Sequence, residues 1–126
     1  MKKIKYEELK SFQRQYKKLR KKFPTLDDDI EVAKKNAIEV FHLQDIDNYS
    51  IKVMSKIPGK NLSICKLRKF ACKSLKGRGS MSGIRLIYAF HTVTLTVTLI
   101  EIYYKQDQAT EDQELIKAWI RSFILD

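Results

Sequence analysis

The stretch from Lys76 to Tyr104, KGRGSMSGIRLIYAFHTVTLTVTLIEIYY, decides the fold. Its opening, Lys76 to Gly83, holds three of the four glycines in the chain among serines and cations, so the backbone turns tightly there. It runs into Ile84, Leu86, Tyr88 and Phe90, which alternate along one face of a strand. Thr92 to Tyr104 is rich in Thr, Val, Leu, Ile and Tyr, the strongest strand composition in the chain, and is expected at the centre of a sheet. Upstream, Leu62 to Leu75 reads as a further strand that returns across the basic loop as a hairpin. Its alternation slips near Lys69-Phe70, which predicts a bulge.

Further out the period changes. Gln44 to Asn61 is polar and contains Pro58-Gly59, the signature of a long connection with at most a short strand at Ser50 to Met54. Leu9, Phe12, Tyr16, Leu19 and Phe23 recur at helical spacing, and Pro24 ends that helix. Thr25 is placed to cap a second helix, with Asp27, Asp28 and Asp29 against its positive end and Leu26, Ile30, Ala33, Ala37, Val40 and Phe41 as its stripe. A short strand around Lys3 to Tyr6 precedes the pair. After the sheet, Thr110-Glu111-Asp112-Gln113 has the form of a capping box, and Leu115, Ile116, Trp119, Ile120 and Phe123 form the stripe of a closing helix. The expected fold is α+β: an N-terminal helical hairpin packed on a curved antiparallel β-sheet with a C-terminal helix. One domain, residues 1–126, is expected from a 44% hydrophobic content that can bury a core unaided.

Charge narrows the function. The net charge of +10 is unevenly spread: residues 1–22 carry ten Lys or Arg, whereas Tyr49 to Ile100 holds ten basic residues and no Asp or Glu. Solvated surfaces ordinarily mix signs to limit self-repulsion, so this window points to a polyanionic partner. Cys65 and Cys72, with only His42 and His91 beside them, lack the ligand count of a structural zinc site, and no disulfide framework is expected. His42, beside an apolar stripe, reads as structural, and His91 is a minor candidate for chemistry. No run approaches the length of a membrane span and the start lacks an apolar signal core, so a cytoplasmic protein is expected.

The runs Lys66-Leu67-Arg68, Lys73 to Tyr88 and Leu99 to Lys105, together with the helical start from Phe12 to Pro24, resemble the RelE/ParE toxin superfamily. In that family a basic strand pair leads to a glycine-rich loop, a Gly-x-Arg opens the next strand, and the last strand ends in aromatic or basic residues. The resemblance implies the toxin of a type II toxin–antitoxin system: a metal- and cofactor-independent endoribonuclease that enters the ribosome, cuts mRNA with the RNA's own 2′-hydroxyl as nucleophile, and is masked by a cognate antitoxin. Such chemistry needs a base, charge neutralisation on the phosphorane and an acid for the leaving 5′-oxygen. Among clustered cations, a lysine with a depressed pKa is a conceivable base.

Carried onto this chain, the resemblance gives Lys66 and Arg68 proton transfer and 2′-hydroxyl or phosphate contact. Arg85 would grip the scissile phosphate through its two-pronged donors. Lys105, with Tyr104, would be the acid or base-stacking group. Lys69, Lys73, Lys76 and Arg78 would meet RNA backbone. Plainer readings stand beside these: Arg85 as an ion-pair partner of Glu101 or a helix acid, and one of Tyr103 and Tyr104 as core, since strand neighbours alternate. The closing helix has no tyrosine, unlike some ribosome-dependent members, and the Gln44 to Asn61 connection is long. Two other classes remain: a ParE-like inhibitor of DNA gyrase, and a non-catalytic basic RNA-binding module.

Overall fold

The computed structural model describes residues 2–125; Met1 and Asp126, the ends of the expected 1–126 domain, lie outside the described residues. The chain forms β1 (Lys5–Glu8), α1 (Lys10–Lys22) and α2 (Leu26–Ala33), which continues through a π-helical turn (Lys34–Ile38) into α3 (Glu39–Leu43). Then come β2 (Ile51–Ile57), β3 (Leu62–Leu67), β4 (Ile84–His91), β5 (Thr96–Tyr104) and α4 (Gln113–Leu125). The fold is α+β: N-terminal helices, a five-stranded, mostly antiparallel sheet in the order β1-β5-β4-β3-β2, and a C-terminal helix.

Both sheet faces are covered, which explains why β4 and β5 are buried along nearly their whole length. On one face Phe12, Leu19, Phe23, Leu26, Ile30 and Ile38 of the helical hairpin meet Leu67, Ile84, Leu86, Tyr88, Leu99, Ile102 and Tyr104. On the other, Ile116 with Trp119, Ile120 and Phe123 meets Leu62, Ile64, Ile87, Ala89, Ile100 and Tyr103. Tyr103 and Tyr104 alternate as strand neighbours must, yet both are buried because neither face is open.

Several elements differ from the sequence expectation. The first strand runs Lys5–Glu8 instead of Lys3 to Tyr6 and pairs in parallel with Thr96 to Leu99 of β5. Beyond Leu99 that edge of β5 is closed by α1: Ser11 Oγ donates to Ile100 O at 2.9 Å and Gln15 Oε1 accepts Ile102 N at 3.0 Å. Side chains thus satisfy backbone groups that β1 is too short to reach. β2 spans Ile51–Ile57, longer than Ser50 to Met54, because its pairing with β3 outlasts its apolar alternation; it is an edge strand whose Lys52 and Lys56 discourage further pairing.

β3 stops at Leu67 and does not reach Leu75. The slip at Lys69-Phe70 marks this strand end, where Arg68 N turns to Ser50 O at 2.8 Å, while the register shifts of the sheet lie at Val53/Ser55 and Ile87/Tyr88. The connection from Arg68 to Gly83 is a folded loop and not a tight hairpin turn, held by a bridge between Phe70 and Met81 and by Ser82 Oγ donating to Phe70 O. β4 occupies the centre of the sheet; β5 is interior beside it and starts at Thr96, since Thr92–Leu95 form the turn. The closing helix is capped by Asp112 and not Thr110: Asp112 Oδ1 accepts Leu115 N at 3.1 Å. Cys65 and Cys72 are free and buried, Cys65 on β3 and Cys72 in the loop beyond it.

His42 stacks on Phe90 at 4.0 Å between ring centroids, with Nε2 2.7 Å from the Tyr88 hydroxyl. Burial pushes its pKa down from 6.5 to about 4. The folded state therefore prefers the neutral ring, and its stabilising contribution is complete above the unfolded pKa and lost as pH falls towards the folded one. The urea midpoint should hold steady above about pH 7 and decline between about pH 6.5 and 4, and His42→Gln should flatten that part of the profile. An unchanged slope in the variant would place the pH sensitivity elsewhere.

Candidate nucleic-acid interface

Strand register assembles the site. Glu101 on β5 pairs with Ile87 on β4, Ile87 with Lys66 on β3, and Lys66 with Lys52 on β2, and the adjoining row pairs Tyr103 with Arg85. Cross-strand partners share a face, and Ile87 and Tyr103 belong to the core under α4, so Glu101, Lys66 and Arg85 lie on that face too. α4 begins over Glu101, where Asp112 N donates to Glu101 Oε1 at 3.0 Å, and runs towards His91, which meets Phe123. The sheet end carrying Arg85 and Lys105 lies beyond the start of the helix.

There Arg78, Met81, Ser82, Gly83, Arg85, Lys105 and Gln106 line an open groove of about 440 Å³. Three cations and no carboxylate face it. Gly83 suits the start of β4 because its φ of +87° is one that residues with a Cβ rarely adopt. Its carbonyl accepts Lys105 N at 2.8 Å, which fixes the Lys105 backbone against the loop. Ser82, fully buried, accepts Ile84 N at 3.1 Å and anchors the other side. Among the described residues Arg85 makes no ion pair; its Nη1 donates only to Ile84 O, at 3.4 Å. The alternative pairing with Glu101 is not formed.

Other candidates stand differently. Tyr104 is 4% exposed, edge-on to Phe23 at 5.0 Å, with its hydroxyl 3.5 Å from Arg78 Nη1. Its ring is core, not a platform for a base, and its contribution to the groove is to hold Arg78. Arg68 is exposed just past the end of β3. Lys69 lines a separate cavity with Asp29, Asn36 and Asn48, and Lys73 N donates to Asp29, so both lie on the side of the helical hairpin. Lys76 is exposed in the loop. Of the RNA-contact set, Arg78 alone shares the groove with Arg85 and Lys105.

Lys66 is not a free cation. Its Nζ sits 2.8 Å from Glu111 Oε1, to which the Tyr103 hydroxyl also donates at 3.3 Å. Their side chains are 20% and 10% exposed, whereas every other ion pair among the described residues has a partner more than half exposed. Burial disfavours the ammonium, but the bonds to Glu111 and Tyr103 outweigh it and the Lys66 pKa is raised. For Lys66 this runs against a depressed pKa: a carboxylate, not a crowd of ammonium groups, is its nearest charge. The acid-free window is a property of the sequence; Glu111 and Glu101 enter the site from outside it. Glu101 itself is fully buried and among the described residues pairs with no cation, accepting from Gln108 Nε2 at 2.7 Å, Asp112 N at 3.0 Å and Gln15 Nε2 at 3.4 Å. The only trace of this in the sequence is an acid inside the Thr-Val-Leu-Ile run of β5, where a strand buried on both faces has no ordinary use for one.

A larger opening of about 550 Å³ lies at the opposite end of the sheet, lined by Trp119, Phe123, His91 and Thr96 with Glu7, Glu8 and Lys5, whose ammonium is already paired with Glu7 at 3.5 Å. Its carboxylates oppose a polyanion. If the cationic groove is the interface, each phosphate neutralised adds about 0.7 to the slope of log affinity against log salt for a single strand, so the triple variant Arg78→Ala, Arg85→Ala, Lys105→Ala should lower that slope by about 2. Lys69→Ala with Lys73→Ala should change it far less. Fluorescence anisotropy with a short RNA over a salt series reads both, and equal losses would move the interface to the hairpin side.

Comparison with protein-family models, with curated proteins and with solved structures finds no match for this chain.

Proposed function

We propose that the chain is a RelE-like toxin of a type II toxin–antitoxin pair, a cytoplasmic endoribonuclease that cuts mRNA on the ribosome and is restrained by an acidic antitoxin segment. The observation that supports this most is Arg85: an arginine without an ion-pair partner among the described residues, held at a strand start in a groove with Arg78 and Lys105 and no carboxylate. A guanidinium so placed binds a phosphate by two donors and gains strength as charge builds on the phosphorane. The order of a helical hairpin, an antiparallel meander and a closing helix agrees with the curved-sheet architecture that the resemblance implies.

In the proposed reaction the 2′-oxygen attacks phosphorus, the bond to the 5′-oxygen breaks, and a 2′,3′-cyclic phosphate and a 5′-hydroxyl result. Arg85 and Arg78 neutralise the phosphorane, and Lys105, which also lines the groove, supplies further positive charge. No helix in the described residues is long and apolar enough to cross a membrane.

A second reading, a basic RNA-binding module without catalysis, is favoured by two observations: Lys66, the expected proton-transfer residue, is held in an ion pair, and Tyr104 is buried. The two part at Arg85. Arg85→Ala should reduce cleavage of translated messages by about 100- to 1,000-fold with ribosome co-sedimentation nearly unchanged, the loss expected of one preorganised donor. A parallel fall in binding and cleavage would favour the simple binder, and loss of DNA synthesis before translation on expression would favour a gyrase inhibitor.

A further inference from the structure

The row Glu101–Ile87–Lys66–Lys52 and the row Tyr103–Arg85 bring five ionisable groups to one sheet face, and a sixth, Glu111, descends on them from the loop before α4. Glu111 is well placed to act on Lys66. Gln108 and Asp112, on either side of it, are both bonded to the buried Glu101, so the loop cannot swing without breaking those bonds. Gln113 Nε2 donates to Glu111 Oε2 at 3.2 Å, leaving Oε1 for Lys66 and Tyr103. A surface ion pair would be worth little and would wander. This one is largely withdrawn from water and tied at both ends.

We propose that Glu111 is a positioning residue of the cationic site: it fixes the Lys66 ammonium beside Tyr103, one strand from Arg85, and keeps it charged, so that Lys66 serves as a proton donor and not as a base. The inference deepens the RNA-cleaving reading and rests on it for its second half. When the bond from phosphorus to the 5′-oxygen breaks, the electron pair stays on that oxygen and takes a proton from Lys66 Nζ. The 2′-hydroxyl proton passes to water, and water returns one to Lys66, so the cycle closes without a cofactor. The titratable groups facing Lys66 are Lys52 from β2, Arg85 from β4, Glu101 and the neutral phenol Tyr103 from β5, and Glu111 from the loop. Two of the three ionisable neighbours other than carboxylates are cations, and Glu101 is already occupied by three donors. Glu111 is therefore the group whose removal exposes Lys66 to burial and like charge together, and both favour the neutral amine.

The test needs no RNA for its first arm. Acetylation of each lysine by acetic anhydride, followed by peptide mass spectrometry over a pH series, reports the neutral-amine fraction of Lys66 against the exposed Lys76. Glu111→Gln keeps the shape and removes the charge, and it should raise Lys66 labelling at a fixed mildly alkaline pH by about tenfold or more, one pKa unit or above. Glu111→Asp should restore part of the protection even if the glutamine variant is poorly folded. In the second arm, the alkaline limb of the pH profile for cleavage should move to lower pH in Glu111→Gln. Faster labelling with the moved limb supports the whole proposal. Faster labelling in a protein that never cuts RNA supports the hold of Glu111 on Lys66 and overturns the nuclease reading. Unchanged labelling in both variants overturns the role of Glu111 while leaving the nuclease reading standing.

Discussion

A single buried carboxylate organises this molecule. Glu101 stands fully buried in β5, and its oxygens are met by Gln108 Nε2, Asp112 N and Gln15 Nε2. Burying a carboxylate is costly unless donors replace its water, and here the donors come from α1, from the loop after β5 and from the first turn region of α4. These bonds tie β5 to α1, 86 residues away in sequence, and to the loop that leads from β5 into α4. It sits next to the register shift at Ile87/Tyr88, where the ladder between β4 and β5 slips by a residue. A bulge of this kind re-aims side chains, and here it leaves Tyr103 opposite Arg85 and Tyr104 opposite Ile84.

The consequence is a division of charge at one end of the sheet. On one side of that end, the tethered loop delivers Glu111 to Lys66 and cancels a cation that the sequence alone presents as free. On the other, Gly83, Ser82 and Tyr104 hold Arg78, Arg85 and Lys105 around an open groove with no acid in it. A basic protein whose cations were merely scattered would attract polyanions everywhere at low affinity. Concentrating uncancelled charge in one concave place, beside a fixed ammonium with a shielded counter-ion, would give a phosphate a preferred seat in the proposed reaction.

Much of the architecture was legible because hydrophobic period and turn chemistry are local. Phe12, Leu19 and Phe23 announced α1, Leu26 and Ile30 announced α2, and Ile116, Trp119 and Phe123 announced the helix that closes the sheet. What failed depended on partners remote in sequence. β3 ends at Leu67 because Arg68 finds Ser50, and β2 extends to Ile57 because β3 pairs with it, neither of which periodicity can reveal. In the site, the glycine-rich loop and the strand end mark Arg85 and Lys105 in the sequence, and the fold brings them to one groove with Arg78. Neither the hold of Glu111 on Lys66 nor that of Phe23 on Tyr104 is visible in the sequence, because an acid 45 residues away and a helix end 81 residues away leave no mark on the strands they meet.

The central claim is that the groove of Arg78, Arg85 and Lys105 serves RNA cleavage by the message's own 2′-hydroxyl. Its most direct test is the chemistry of the ends. The purified chain would be added to ribosomes translating a defined message, and the fragments examined by mass spectrometry. The account predicts cuts within the occupied codon, with 2′,3′-cyclic phosphate on one fragment and 5′-hydroxyl on the other. Intact messages, or fragments ending in 3′-hydroxyl and 5′-phosphate, would contradict it.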